Sequence, residues 1–172
     1  TDQEFDDLGN VIAEETFRNL QRNWSAEHLL VKSINGHASA GLLGNMRSNT
    51  FRNLRRAVEG GPAVEYNLFP YSQSTRRELV LRYSVGYAYN EYVDMTIFDQ
   101  TSEGLPLHVL VVNFRNQAPW GSVNFRTEHR NYLSDAAKRN TNVNGSFNVR
   151  VFKGLEVGMH GSYSWIRDQI AL

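Results

Sequence analysis

In the stretch RRELVLRYSVGYAYNEY, residues 76–92, Leu79, Leu81, Tyr83, Val85, Tyr87 and Tyr89 occupy every second position, and Val80, Arg82, Ser84, Gly86, Ala88 and Asn90 lie between them. Successive side chains of a strand point to opposite faces, so this pattern predicts one long β-strand with an apolar-aromatic face and a small or polar face. The same period recurs along the chain. In NWSAEHLLVK, Trp24, Ala26 and Leu30 share a face, with His28 the exception. In HASAGLLGNMRSNTF, Ala38, Ala40, Leu42, Gly44 and Met46 oppose Ser39, Gly41, Leu43, Asn45 and Arg47. In LRRAVEGGPAVEYNLF, Leu54, Val58, Pro62, Val64 and Tyr66 oppose Arg55, Ala57, Glu59, Gly61, Ala63 and Glu65. HVLVVNFR, GSVNFRTEHRNYL, VNGSFNVRVF and LEVGMHGSYSW alternate likewise. The pattern predicts about eight strands in consecutive hairpins across residues 15–172, a strand stub at residues 1–5 and no helix.

The connections carry turn chemistry. ING after Ser33 and FKG after Val151 read as three-residue hairpin loops with a left-handed glycine last. Pairing Val151 with Leu155 sets Arg150 opposite Glu156, Val149 opposite Val157 and Asn148 opposite Gly158, so that like faces meet like. FPYSQST and NQAPWG are compact turns that contain proline, whereas VDMTIFDQTSEGLPL and SDAAKRNTN read as long polar loops. Short turns at one end and long loops at the other are the layout of a transmembrane β-barrel. Phe69, Tyr71, Trp120 and Phe152 fall near the short turns. Trp24, Tyr87, Tyr89, Tyr92, Tyr132, Tyr163 and Trp165 fall toward the long loops, as two interfacial aromatic belts would require.

Composition narrows the reading. The 172 residues suit one domain or a fragment of one, 18 basic residues balance 18 acidic ones, and cysteine is absent. Balanced charge without a basic arm gives no reason to expect nucleic acid as a partner. No apolar run approaches the roughly 20 residues of a transmembrane helix, but a barrel strand needs only about 9–11 residues with alternate ones apolar. The acidic start, TDQEFDDLGN, lacks the charged and apolar regions of a signal peptide. Two architectures fit the alternation: a transmembrane barrel with its apolar face in lipid, or a soluble lipocalin-like barrel with that face around an apolar ligand. Long strands and polar faces rich in Gly, Ala, Ser, Asn and arginine–glutamate partners favour the first. Thr127, His129, Asn131 and His28 on the expected lipid side count against it.

GPAVEYNLFPYSQSTRRELVLRYSVGYAYNEY, TSEGLPLHVLVVNFRNQAPWGSVNF and VRVFKGLEVGMHGSYSWIRDQIAL resemble a family of poorly characterised bacterial outer-membrane β-barrel proteins. EYNLFPYSQSTRR, QAPWGSV and RVFKGL carry the resemblance most specifically, and it covers the chain from about Trp24 onward. It implies an antiparallel up-and-down barrel in the bacterial outer membrane, with the lipid bilayer and the barrel-assembly machinery as partners and no catalytic motif. Thr127 and His129 depart from the family pattern. Both end strands reach the long-loop side, and DQIAL lacks a terminal aromatic, so an interior piece of a larger barrel is expected.

Candidate chemistry is sparse. Arg47, Arg55, Glu59, Glu65, Arg82, Arg115, Arg126, Glu128, Arg130, Arg150 and Glu156 share the polar face. They read as a porin-like polar channel or as ion pairs plugging a narrow barrel, with Glu65 a cross-strand neighbour of Arg82. His28, His37, His108, His129 and His160 lack metal-ligand spacing, so no metal or cofactor is expected. His160 opposite Ser146, with Glu156 nearby, is the closest approach to a hydrolase triad, and no enzyme activity is expected from it.

Overall fold

In the computed structural model, which describes residues 2–5, 11–15 and 21–167, the chain is all-β. β1 (Asp2–Phe5) pairs antiparallel with β2 (Val11–Glu15) in a ladder of their own. The stub is therefore one arm of a hairpin whose second arm the alternation did not reveal. Eight further strands form one sheet. They are β3 (Asn23–Ser33), β4 (Ala38–Asn49), β5 (Leu54–Asn67), β6 (Arg77–Tyr92), β7 (Ser102–Ala118), β8 (Gly121–Tyr132), β9 (Asp135–Phe152) and β10 (Leu155–Ile166). Each pairs antiparallel with its neighbours in sequence, which makes a meander. Among the described residues no strand pairs with the outer edge of β3 or β10, so the sheet is open. The closing DQIAL stretch lies outside the described residues.

Register follows the predicted faces. Leu81 lies between Tyr66 and Val112, and Tyr83 between Val64 and Leu110, so apolar residues stand beside apolar residues. Glu65 is opposite Arg82, and Arg150, Val149 and Asn148 meet Glu156, Val157 and Gly158. Leu155, however, pairs with Phe152 rather than Val151, with an irregularity before Glu156. The loop is thus residues 153–154, with Gly154 at φ 95°. The β3–β4 loop is longer than expected, residues 34–37, and Gly36 is not left-handed. Asn35 closes it instead, its Oδ1 accepting from the N–H groups of His37 and Ala38 at 2.8 and 2.9 Å.

The expected contrast between short turns and long loops does not hold. SEGLPL belongs to β7, and most of SDAAKRNTN belongs to β9, which leaves only residues 133–134 between β8 and β9. Polar residues continue the ladder there because each N–H and C=O finds its partner on the neighbouring strand, whatever the side chain. At the opposite end the 68–76 connection is among the longest, and it contains a 3-10 turn at Tyr71–Gln73.

The sheet is curled. Arg130 of β8 is in register, through Val109 and Ser84, with Ala63 of β5, four residues from Glu59. In a flat sheet these Cα atoms would be roughly 20 Å apart. Arg130 Nη1 nevertheless lies 2.6 Å from Glu59 Oε2, so the face carrying both is concave. The bend is made where β5 meets β6. Gly60 pairs with Tyr87 and Ala63 with Ser84, which leaves Gly61 and Pro62 out of the β5–β6 ladder, though both pair with β4. A Cβ at Gly86 would stand 2.7 Å from the Gly60 carbonyl oxygen, and one at Gly61 would stand 2.6 Å from Gly86 Cα. Strands come this close only where side chains are missing.

The concave face also holds the only extensive core among the described residues. Leu105, Leu107, Val109 and Val111 of β7 are buried with Ala88 and Tyr132, and Leu54, Ala57 and Tyr92 form a smaller cluster. Three positions differ from expectation. Tyr92 and Tyr132 are 3% and 4% exposed and face inward, because each has the opposite parity to its strand's outward residues. Leu54 turns inward through the irregularity between Leu54 and Arg56.

Gly86→Val should destabilise the sheet by about 1–3 kcal/mol, through contact with the Gly60 carbonyl. Gly145→Ala, whose nearest atom would be 3.9 Å away, should be nearly neutral. The two urea unfolding midpoints provide the comparison.

Candidate functional site

The two faces differ in kind. The concave face encloses an open-ended cavity of about 300 Å³. One wall is the apolar strip of β7, with Leu107, Val109 and Val111. Glu59, Arg82 and Ser84 of β5 and β6 flank it on one side, and Arg126, Glu128 and Arg130 of β8 on the other. The β7 strip was legible as LPLHVLVV, an apolar run broken only by His108 and of the kind expected for a strand covered on both faces, but strict alternation concealed it.

The predicted inward charges are brought together only in part. Arg130 with Glu59 is the best enclosed pair, both side chains being 21% exposed. Arg126 pairs with Glu128 of its own strand at 3.1 Å. Arg115 Nε lies 3.9 Å from Glu78, which also accepts at 2.7 Å from Asn113 Nδ2. Glu78 was missed because it stands at the end of the alternating run. Arg55 shares Glu91 with Arg56 at an exposed rim, where ion pairs contribute little. Glu65 and Arg82 are opposite in register but form no ion pair, nor do Arg150 and Glu156. Arg47 is exposed and belongs to no ion pair among the described residues. Neutral side chains extend the polar ladder. Asn124 Nδ2 donates to Ser146 Oγ, Asn148 Nδ2 to Ser122 Oγ, and Ser164 Oγ to Asn142 Oδ1.

The convex face is apolar and open. Val64, Leu81, Tyr83, Val85 and Tyr87 are all more than 40% exposed, and Val157, Met159, Tyr163 and Trp165 continue the surface across β10. Soluble monomers scatter exposed apolar residues singly, whereas here they form contiguous rows over the sheet. A polar group interrupts these rows. His129 Nδ1 is 2.8 Å from Thr141 Oγ1, and His108 packs between the rings of Tyr83 and His129.

His160 lies opposite Ser146 as expected, but Ser146 Oγ is engaged by Asn124 and no hydrogen bond joins it to His160. Among the described residues no group of three or more His, Asp or Glu side chains is placed to hold a metal ion. Compared with known protein families, curated proteins and solved structures, the chain matches none.

The Glu59–Arg130 pair should be energetically coupled through the curl. In a cycle of Glu59→Gln, Arg130→Gln and the double variant, a coupling of about 1–2 kcal/mol is expected, since removing one partner strands the other half-enclosed charge. Additive unfolding energies would mean that the curl does not depend on this contact.

Proposed function

We propose that this chain forms the wall of a bacterial outer-membrane β-barrel, with a structural or passively permeable role, inserted with the help of the barrel-assembly machinery. One observation carries the reading. The sheet curls with the face that carries its charged side chains inside, around the apolar strip of β7, and its exposed apolar-aromatic face outside, whereas a soluble barrel turns its polar face to solvent. The free edges of β3 and β10 are where further strands would complete the wall. Glu59–Arg130, reaching over two intervening strands, supports a narrow lumen crossed by side chains more than a wide channel.

The polar outward residues of β8 fit the same reading once strand tilt is included, whereas His28 of β3, five residues from the strand's end at the 34–37 loop, stands near mid-band and does not. A strand tilted about 40° climbs roughly 2.5 Å of membrane thickness per residue. Counted from the 119–120 and 153–154 turns, His129 and Asn131 rise about 20–25 Å, and Trp165 about 25 Å, to the upper edge of an apolar band about 25 Å tall. Tyr87, counted from Arg77, rises about 25 Å as well. Thr127 lies lower, at about 15 Å, and is small enough for its hydroxyl to bond within its own strand.

Insertion into phosphatidylcholine vesicles should protect β6 and β10 from protease. In plain buffer without detergent the chain should aggregate. A monomer that is folded and stable in plain buffer would sink the membrane reading. Leu81, about 10 Å up the strand, stands near mid-band. Leu81→Arg should therefore cost about 2–4 kcal/mol of folding energy in vesicles, whereas Ser84→Arg, on the concave face, should cost less.

A further inference from the structure

We propose that the outward corner formed by the far ends of β8, β9 and β10 binds the phosphate of an anionic lipid headgroup. The proposal rests on the membrane reading and identifies a specific lipid contact on that wall. Arg139 and Arg167 stand directly opposite one another, since the ladder pairs Ile166 with Asn140 and the Arg167 N–H donates to the Arg139 carbonyl at 2.8 Å. Like charges facing each other across a strand pair repel. Here both guanidinium groups lie against one indole, their Cζ atoms 4.9 and 5.1 Å from the centre of the Trp165 ring.

Among the described residues neither arginine has a carboxylate partner. The single acid of β9, Asp135, instead accepts from the Ala137 N–H at 2.9 Å. Two further polar residues lie in the same row, because Arg139 pairs with Asn131 and Asn131 with His108. Within that row Arg139 Nε and His108 Nδ1 are enclosed without a hydrogen-bond partner, so the protein itself leaves the Arg139 Nε–H donor unmatched. Below the row, Trp165, Thr141 and His129 are in register, with the apolar convex face beyond them.

Two fixed cations on an aromatic platform, at the upper edge of a lipid-facing apolar surface, match a phosphate that sits above acyl chains. The guanidinium forks supply charge-assisted hydrogen bonds to its oxygens, and the indole takes the interfacial position between headgroup and chain. Binding a dianion there would also relieve the repulsion between the arginines.

The test uses the 172-residue chain carrying Trp24→Phe and Trp120→Phe, so that Trp165 alone reports. After insertion into phosphatidylcholine vesicles, verified by flotation, its fluorescence is quenched with brominated phosphatidic acid or with brominated phosphatidylcholine at equal mole fraction. Anionic lipid is expected to be enriched at Trp165 by roughly thirtyfold, as about 1 kcal/mol for each of the two arginines implies. The preference should shrink as salt is raised, a readout that needs no further substitution. It should fall close to parity in Arg139→Gln/Arg167→Gln and persist in Arg55→Gln/Arg56→Gln. Equal quenching by the two lipids, or a preference that survives loss of both arginines, overturns the proposal. Displacement by inorganic phosphate at matched concentration overturns the lipid assignment in favour of a free-anion site. A chain that never floats with vesicles fails the membrane reading and this proposal together, whereas one that inserts without lipid preference fails this proposal alone.

Discussion

A single β-sheet has two faces, and in the described residues of β3–β10 no second layer covers either. Every other feature answers to that constraint. The backbone is satisfied by neighbouring strands, so the ladder persists through polar and apolar stretches alike. Side chains have no such automatic partner. The concave side is covered by curling until β5 and β8 reach one another, and the convex side is left to whatever surrounds the protein.

The curl has a local cause and a distant consequence. At Gly61 and Gly86 two strands approach more closely than any Cβ would permit, and Pro62 has no N–H to offer the ladder. The small residues Ala57, Ala63 and Ala88 are buried around that corner. Beyond it β7 can press Leu105, Leu107, Val109 and Val111 into the hollow, while Glu59 and Arg130 close over the cavity. The interior is therefore mixed. Apolar burial on one strand supplies a non-directional drive, and the ion pair joins the two sides of the bend.

On the convex side, alternation separates two kinds of outward residue. Asn116 apart, aliphatic and aromatic residues fill the rows nearest the 119–120 and 153–154 turns. Histidine, asparagine and arginine collect toward the other ends of β7–β10. Strand tilt turns that drift into a change of height, so the proposed bilayer surface and the proposed headgroup site belong to one gradient of polarity. The cation–π contacts at Trp165 lie where the two meet.

How much of this was legible follows from the range of the forces involved. A period of two is a property of the single strand. The sequence by itself therefore determined which residues of the main strands share a face, the β9–β10 register from Arg150 onward, and the opposition of Glu65 to Arg82. It did not reveal that SDAAKRNTN continues β9, because a ladder is extended by a neighbour's backbone and not by side-chain pattern. Nor did it reveal that Leu54 turns inward, since one irregularity in pairing reverses parity from that point. Only the tertiary structure decided which face is concave, that Glu59 meets Arg130, and that Arg139 and Arg167 share one indole. The physical reason is that curvature and lateral neighbours belong to the assembled sheet: alternation defines two faces but carries no sign to say which is inside.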